Sequence, residues 1–269
     1  MAKGPIAIGL FCDRVDTMIW MPGGFITNSD DGERETEIRK AIRDVKSIRG
    51  CGSMGGQIGV MLDHFFYGFD TAVYTVFWMF QNAATIGLAD ICQYLGNSAA
   101  FIVYLAVSVV LCSPKKTRKY GVAMVVAYLM AFLLVNVLIK PGVGRLRPYI
   151  TLKNTPFWET YYTHWVNAGA NLEDDLSFPS GHTSLNFAVF TALSAVLIKD
   201  KKNWAWLFLM LIPIVVGSTR IIRCVHYPSD VLAGMLIGIA AGLIGYLVTW
   251  HFFLKKESLV IGADQLSSE

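Results

Sequence analysis

Five apolar blocks separated by short charged runs constrain this chain more than any other feature. They fall at about 95–112, 121–139, 183–198, 204–222 and 231–254, and a bilayer crossing needs ~20 mostly apolar residues, which the shorter blocks reach by borrowing flanking ones. A water-soluble core cannot absorb five such blocks. With 54% hydrophobic and 16% charged residues, the chain is more apolar than an ordinary soluble domain. The expected fold is therefore all-α, a polytopic membrane helical bundle of five transmembrane helices. An interfacial or sixth helix is expected near 69–89, where Phe69, Val73, Val76, Phe77 and Phe80 share a face that Asp70, Gln81 and Asn82 interrupt.

The charged runs set the orientation. Lys115-Lys116-Thr117-Arg118-Lys119, Lys199-Asp200-Lys201-Lys202 and Lys255-Lys256 fall on one side if the spans alternate, and an excess of Lys and Arg marks the cytoplasmic side. The net charge of +3 is spent on this topology, so nucleic acid is not an expected partner. The five cysteines show no metal or disulfide spacing. Residues 1–68 are expected to form an amino-terminal extension with a short amphipathic helix over 33–49, capped near Ser29 to Asp31 and followed by a glycine-rich linker at 50–56. Residues 69–254 form the membrane domain, and 255–269 a cytoplasmic tail. The run Met1 to Cys12 is not read as a signal peptide, because Asp13 and Arg14 follow it without a small-residue cleavage site.

Alternation puts 140–181 and 223–228 on the external side, although both loops are basic. Basic side chains on the wrong side of the topological rule are better explained by an anionic ligand than by orientation. Three clusters meet there: Lys140 with Arg147-Pro148, Pro179-Ser180-Gly181-His182, and Arg220 with His226 and Asp230. Each has a plain alternative. The basic residues could snorkel at a span end, Ser180 could cap a helix, and His226 and Asp230 could merely satisfy each other. Their order and shared face make the combination far more specific than its parts.

Together the clusters resemble the signature of the type 2 phosphatidic acid phosphatase family, which shares its core with vanadium haloperoxidases and glucose-6-phosphatase. That signature reads Lys, six residues, Arg-Pro; Pro-Ser-Gly-His; then Ser-Arg, five residues, His, three residues, Asp. Thr219 stands where the family usually has serine, and it keeps the hydroxyl. The resemblance covers roughly 69–254. It implies a metal-independent hydrolase without a cofactor, acting on a phosphate ester or anhydride. On this chain His226 would be the nucleophile, Asp230 its orienting carboxylate and His182 the general acid and base, with Lys140, Arg147, Ser180, Gly181 and Arg220 binding phosphate. The chemistry suits these residue types: transition-state charge spreads over the equatorial phosphoryl oxygens and is met by fixed cations and helix-terminal N–H groups, while a carboxylate on one imidazole nitrogen fixes the tautomer that frees the other.

The expected substrate is a membrane lipid phosphate or diphosphate of the undecaprenyl diphosphate, phosphatidic acid or phosphatidylglycerol phosphate class, hydrolysed through a phosphohistidine at the extracytoplasmic face of the cell membrane. A lipid phosphotransferase using the same histidine, or a non-catalytic lipid-binding or transport protein, are the alternatives. Aromatic residues of 151–177, among them Phe157, Trp158 and Trp165, are expected to shape substrate entry. Glu173, Asp174 and Asp175 are read as solvated and not as a cation site. Arg145 and Arg223 match no signature position and are assigned to a second layer or to headgroup contacts; His64, His164 and His251 have no identified partners. The oligomeric state is not legible.

Overall fold

The computed structural model describes residues 54–95, 98–200 and 204–254, so the helix expected at 33–49 and the tail lie outside the described residues. Helix α1 spans Met54–Trp78, α2 Ala83–Gln93, α3 Ser98–Cys112 and α4 Arg118–Phe132. The last continues through a π-helical stretch, Leu133–Ile139, into a closing turn at Lys140–Val143. A short α5, Pro148–Thr151, and α6, Trp158–Asn167, cover the outer loop. Three long helices complete the bundle: α7 Gly181–Lys199, α8 Ala205–Ile222 and α9 Pro228–Thr249. Among the described residues every regular element is helical.

Among the described residues, four helices are long and apolar enough to cross a membrane, those beginning at Arg118, Gly181, Ala205 and Pro228, so the expected count of five is not confirmed. The fifth expected span forms α3, whose 15 residues reach only ~22 Å at 1.5 Å each, against a ~30 Å hydrocarbon core. The single helix expected over 69–89 is also two elements. A turn at Met79–Gln81 separates α1 from α2, because Asn82 accepts the Ala84 and Thr85 amides and starts a new helix. The expected boundary at 68/69 lies inside α1, which runs through it without a break. Gly68 has open space around it, nothing lying within 4 Å of an added Cβ, so nothing there forces the chain to turn.

Large apolar side chains on the outer faces remain exposed, including Val103, Val107 and Val110 on α3, Leu207 and Phe208 on α8, and Leu236 and Leu247 on α9. In water such a surface would be a liability; in lipid it is the solvent-facing surface. The inner faces hold small residues. Gly234, Gly238 and Gly242 lie along one side of α9, and a Cβ at Gly238 would sit 2.5 Å from the Ser184 carbonyl and 2.6 Å from Phe187 Cβ. This small-residue stripe lets α9 lie directly on α7. The Ser180 amide consequently reaches the Asp230 carbonyl at 3.0 Å, joining the starts of both helices.

At the opposite end, Lys119 binds Asp200 at 2.8 Å, and Lys199 lies 4.4 Å from the Trp250 ring centroid. The first two basic runs and the end of α9 thus share one end of the bundle, as alternating spans require.

Candidate active site

At one end of the bundle, α4 with its continuation, α7 and the loop before α9 meet around one cavity of about 510 Å³, into which Lys140, Arg147, Gly181, His182 and His226 all face. The π-helical stretch supplies the first of these. The Lys140 amide bonds to the Val135 carbonyl, five residues back, and such local underwinding shifts the register of the side chains that follow. Arg147 ends an extended segment, and its N-cap geometry with Pro148 at the first helical position turns the chain into α5.

Arg147 is the centre of the site. Its Nη1 donates to the Val225 carbonyl at 2.7 Å and meets His226 Nε2 at 2.9 Å, while Nε donates to the Asp175 carbonyl at 3.0 Å. A guanidinium only donates, so His226 Nε2 is the accepting nitrogen and the ring hydrogen resides on Nδ1. His226 Nδ1 lies 3.5 Å from Asp230 Oδ2, close enough for an ion-pair contact but without a hydrogen bond between them. Burial, reinforced by the charges of Arg147, Arg220 and Lys140, pushes the His226 imidazole well below the ordinary histidine range.

Asp230 is fully buried and held from several directions. Arg145 Nη1 donates to Oδ1 at 2.7 Å; the Ser177 hydroxyl at 2.5 Å and the Tyr227 amide at 3.1 Å donate to Oδ2. His182 Nε2 lies 3.2 Å from the Gln93 carbonyl, an acceptor only, so Nε2 carries the ring hydrogen. Gln93 and His182 both line the cavity. Ser180 occupies the N-cap position of α7 but makes no side-chain capping bond; its hydroxyl oxygen accepts from Thr183 at 2.9 Å.

The acidic loop departs from expectation. Asp175 pairs with both Lys140 and Arg147, and Glu173 pairs with Arg220, so two of the three carboxylates are bound to the site's cations and are not simply solvated. Burial alone would raise the Glu173 carboxyl, but Arg220 and Arg147 overcome it and hold the group down to about 2. Even so, Arg220 Nε and Nη1 and His226 Nδ1 have no hydrogen-bond partner among the described residues.

Thr219, the one departure from the signature, donates its hydroxyl to the Val216 carbonyl of its own helix at 2.7 Å, a bond that serine makes equally well. Arg223 pairs with Asp90 and ties α8 to α2. His164 lies against Gln81 at 2.5 Å and stacks on Trp78 with centroids 4.3 Å apart. It belongs to an aromatic cluster with Tyr74, Tyr149, Tyr161 and Trp165 that packs under the 223–227 loop.

Asp63 and Asp70 are the residues to which sequence reasoning gave no role in the site, and Arg145 one that it assigned only to a second layer or to headgroup contacts. Arg145 is fully buried, and besides Asp230 it binds Asp63 at 2.8 Å and Asp70 at 2.9 Å. The signal was present: Asp63 and Asp70 are seven residues apart, on one face of a helix. Their partner lay more than 70 residues downstream.

A family signature described as the PAP2 superfamily matches residues 116–254. Among curated proteins, the chain is 28% identical to an undecaprenyl-diphosphatase of Sulfolobus acidocaldarius, over 64% of this chain and 74% of that one. It is 35% identical to a bacitracin transport permease protein of Bacillus licheniformis, over 54% and 65%, and 27% identical to a lipid A 4'-phosphatase of Bacteroides thetaiotaomicron, over 52% and 58%. Against the last two, the chain thus spans less than two thirds of the relative's length. The crystal structure of a transmembrane PAP2-type phosphatidylglycerolphosphate phosphatase from Bacillus subtilis aligns with a TM-score of 0.53 over 82% of this chain and 96% of that one. At 19% identity the likeness establishes a shared fold.

Proposed function

The chain belongs to the PAP2 superfamily, and from that premise we propose that it is an integral membrane phosphatase that hydrolyses a lipid phosphate or diphosphate through a phosphohistidine at His226. The observation that carries this reading is the cavity itself. One end holds His226 Nε2 beside Lys140 and Arg147; the other is lined by Tyr128, Phe132 and Leu185 within the membrane-spanning part of α4 and α7. A charged end continuous with an apolar end suits a phosphate that carries a hydrocarbon chain.

In the first step the lone pair on His226 Nε2 attacks phosphorus while the bond from phosphorus to the leaving oxygen breaks. His182, entering the step as the imidazolium with Nε2–H on the Gln93 carbonyl, gives its Nδ1 proton to that oxygen, which departs as the lipid alcohol or lipid monophosphate, and is left neutral. Asp230 stabilises the positive charge that His226 acquires. Lys140, Arg147 and Arg220, with the Ser180 hydroxyl and the Gly181 amide at the start of α7, hold the three equatorial oxygens. In the second step His182 takes a proton from water, the water oxygen bonds to phosphorus, and the bond from phosphorus to Nε2 breaks, releasing inorganic phosphate and restoring both histidines.

The site is placed on the extracytoplasmic face of the cell membrane. Support comes from the basic residues Lys119 and Lys199, which lie at the far end of the same helices from His226. Candidate substrates are undecaprenyl diphosphate, phosphatidic acid and phosphatidylglycerol phosphate.

The test is phosphate release by the purified protein in detergent across those lipids, with and without EDTA and vanadate. Release that survives EDTA, is inhibited by vanadate and is abolished by His226→Ala is expected. The similarity to a protein named as a transport permease keeps one second reading, lipid phosphate transport without hydrolysis. Under it, His226→Ala retains function and no phosphate appears.

A further inference from the structure

Helix α1 makes an unusual set of contacts for a segment that lies upstream of the family match at 116–254. Asp63 Oδ1 accepts from Arg145 Nε at 2.8 Å, and Asp70 Oδ2 accepts from Arg145 Nη2 at 2.9 Å. Asp70 also accepts from the Ser229 amide at 2.7 Å and the Ser229 hydroxyl at 2.8 Å. Tyr74 donates to the His226 carbonyl at 2.7 Å, and Trp78 Nε1 to Cys224 Sγ at 3.3 Å. From Asp63 to Trp78, then, one face of α1 holds Arg145 and the loop that carries His226.

Arg145 is the hinge of this arrangement. Its guanidinium uses all three nitrogens at once: Nε on Asp63, Nη2 on Asp70, and Nη1 on both Asp230 and the Ser229 hydroxyl. Its flat face lies over the Tyr227 ring, with Cζ 3.8 Å from the centroid. The backbone is seated as closely as the side chain. A Cβ at Gly59 of α1 would fall 2.7 Å from Arg145 Cα, so only glycine lets α1 approach this near. Taking a guanidinium fully out of water is costly unless its donors are satisfied, and here three carboxylates converge to do so. One would suffice to neutralise it. Three fix its plane and direction.

We propose that Arg145 is a positioning residue for the histidine–aspartate pair: Asp63 and Asp70 of α1 fix the guanidinium, the guanidinium fixes Asp230, and Asp230 aims His226 Nε2 at phosphorus. Arg145 contacts neither His226 nor the phosphate-binding cations, so it acts through Asp230. The helix at the edge of the membrane domain thereby becomes part of the active site.

This inference rests on the phosphatase reading, and it is tested by comparing kcat and KM for phosphate release from the best lipid substrate, with vanadate inhibition, in Arg145→Lys, Asp70→Asn and Asp63→Asn. Lysine keeps the charge but not the three-way fork. A misplacement of the reacting group by about 1 Å costs ~100-fold in rate, so kcat is expected to fall by about that factor in Arg145→Lys and by about 10-fold in each aspartate variant. KM and the vanadate inhibition constant stay within about 2-fold, because Lys140, Arg147 and Arg220 are untouched. General unfolding would not produce that split.

Wild-type kcat in all three variants overturns the inference. So does a rise in KM and in the vanadate constant at unchanged kcat, which would put Arg145 in the anion cradle. Should the buried substitutions prevent folding, Asp63→Asn decides alone, since that side chain is 21% exposed and its loss removes a single arm. Absence of phosphate release by the wild-type protein would overturn the phosphatase reading and this inference with it, an outcome distinct from an active enzyme indifferent to Arg145.

Discussion

Arg147 Nη1 donates to His226 Nε2 at 2.9 Å, so the lone pair of the imidazole is held by Arg147 until a phosphoryl oxygen takes that donor, and the ring hydrogen is on the side of Asp230. A cation against the nucleophilic nitrogen has two effects. It opposes protonation of His226, and it is already placed to bind the phosphoryl oxygen that arrives there.

The first effect predicts a pH profile. The folded pKa of His226 is depressed, so the neutral nucleophile is present above that depressed value and is lost only as pH falls through it. The acid limb of kcat/KM arising from His226 should therefore lie below ~6.5, the ordinary histidine value. Arg147→Gln removes one of the charges responsible and should move the limb upward, alongside a large loss of activity. A limb that stays in place in Arg147→Gln would mean that the observed titration belongs to another group.

The acidic loop predicts a competition. Glu173 on Arg220, and Asp175 on Lys140 and Arg147, occupy the cations that phosphate would use. Because Glu173 is held down to about 2, it stays ionised at any working pH, and acidification to pH 5 does not relieve the competition. Glu173→Gln should lower both KM and the vanadate inhibition constant by about 5-fold, equivalent to ~1 kcal/mol for a partly exposed ion pair. The same change leaves buried Arg220 with fewer partners, so the apparent melting temperature should fall and vanadate should raise it more than in the wild type. An increase in KM would show instead that the loop helps to bind substrate.

The contact between α7 and α9 predicts a structural cost that reaches the site. A methyl group at Gly238 meets backbone and a Cβ, neither of which can swing aside, so Gly238→Ala should destabilise by about 1–3 kcal/mol. By forcing the two helices apart, it should also separate Ser180 from Asp230 and reduce kcat. Gly87, with nothing within 4 Å of an added Cβ, is the control: Gly87→Ala should be no less stable than the wild type, as measured by thermal denaturation in detergent.

The residues legible from sequence are those whose chemistry demands particular types at particular spacings. Lys140, Arg147, Ser180, Gly181, His182, Arg220, His226 and Asp230 stand at motif intervals, and the structure gathers them at one end of the bundle. What escaped depended on contacts between distant segments. Glu173 and Asp175 read as solvated because an acidic run usually is, until three cations from three other segments, Lys140, Arg147 and Arg220, surround them. Arg145 could be assigned only to a second layer or to headgroup contacts, because no pattern marks a residue that acts through a carboxylate 85 positions away. The count of five spans is not confirmed for a simpler reason: hydropathy measures how apolar a block is, whereas among the described residues α3 has 15, short of the length that a crossing needs.

The apolar half of the cavity separates a lipid phosphatase from a general one. Phe132 of α4 and Leu185 of α7 both line the cavity that holds the catalytic groups, and neither side chain contributes a polar atom. A substrate chain threaded between them would gain ~0.8 kcal/mol for each buried CH2, a contribution available to a long acyl or isoprenoid phosphate and denied to a short soluble one. Filling that passage with Leu185→Trp should raise KM for a long-chain lipid phosphate by about 10-fold or more, since losing two methylenes' worth of burial already exceeds 1.4 kcal/mol. Release from a short-chain or water-soluble phosphate ester should change by less than about 2-fold, because the cations and His226 are not disturbed. Equal losses on both substrates would place the hydrocarbon chain elsewhere on the protein and remove the main support for the lipid assignment.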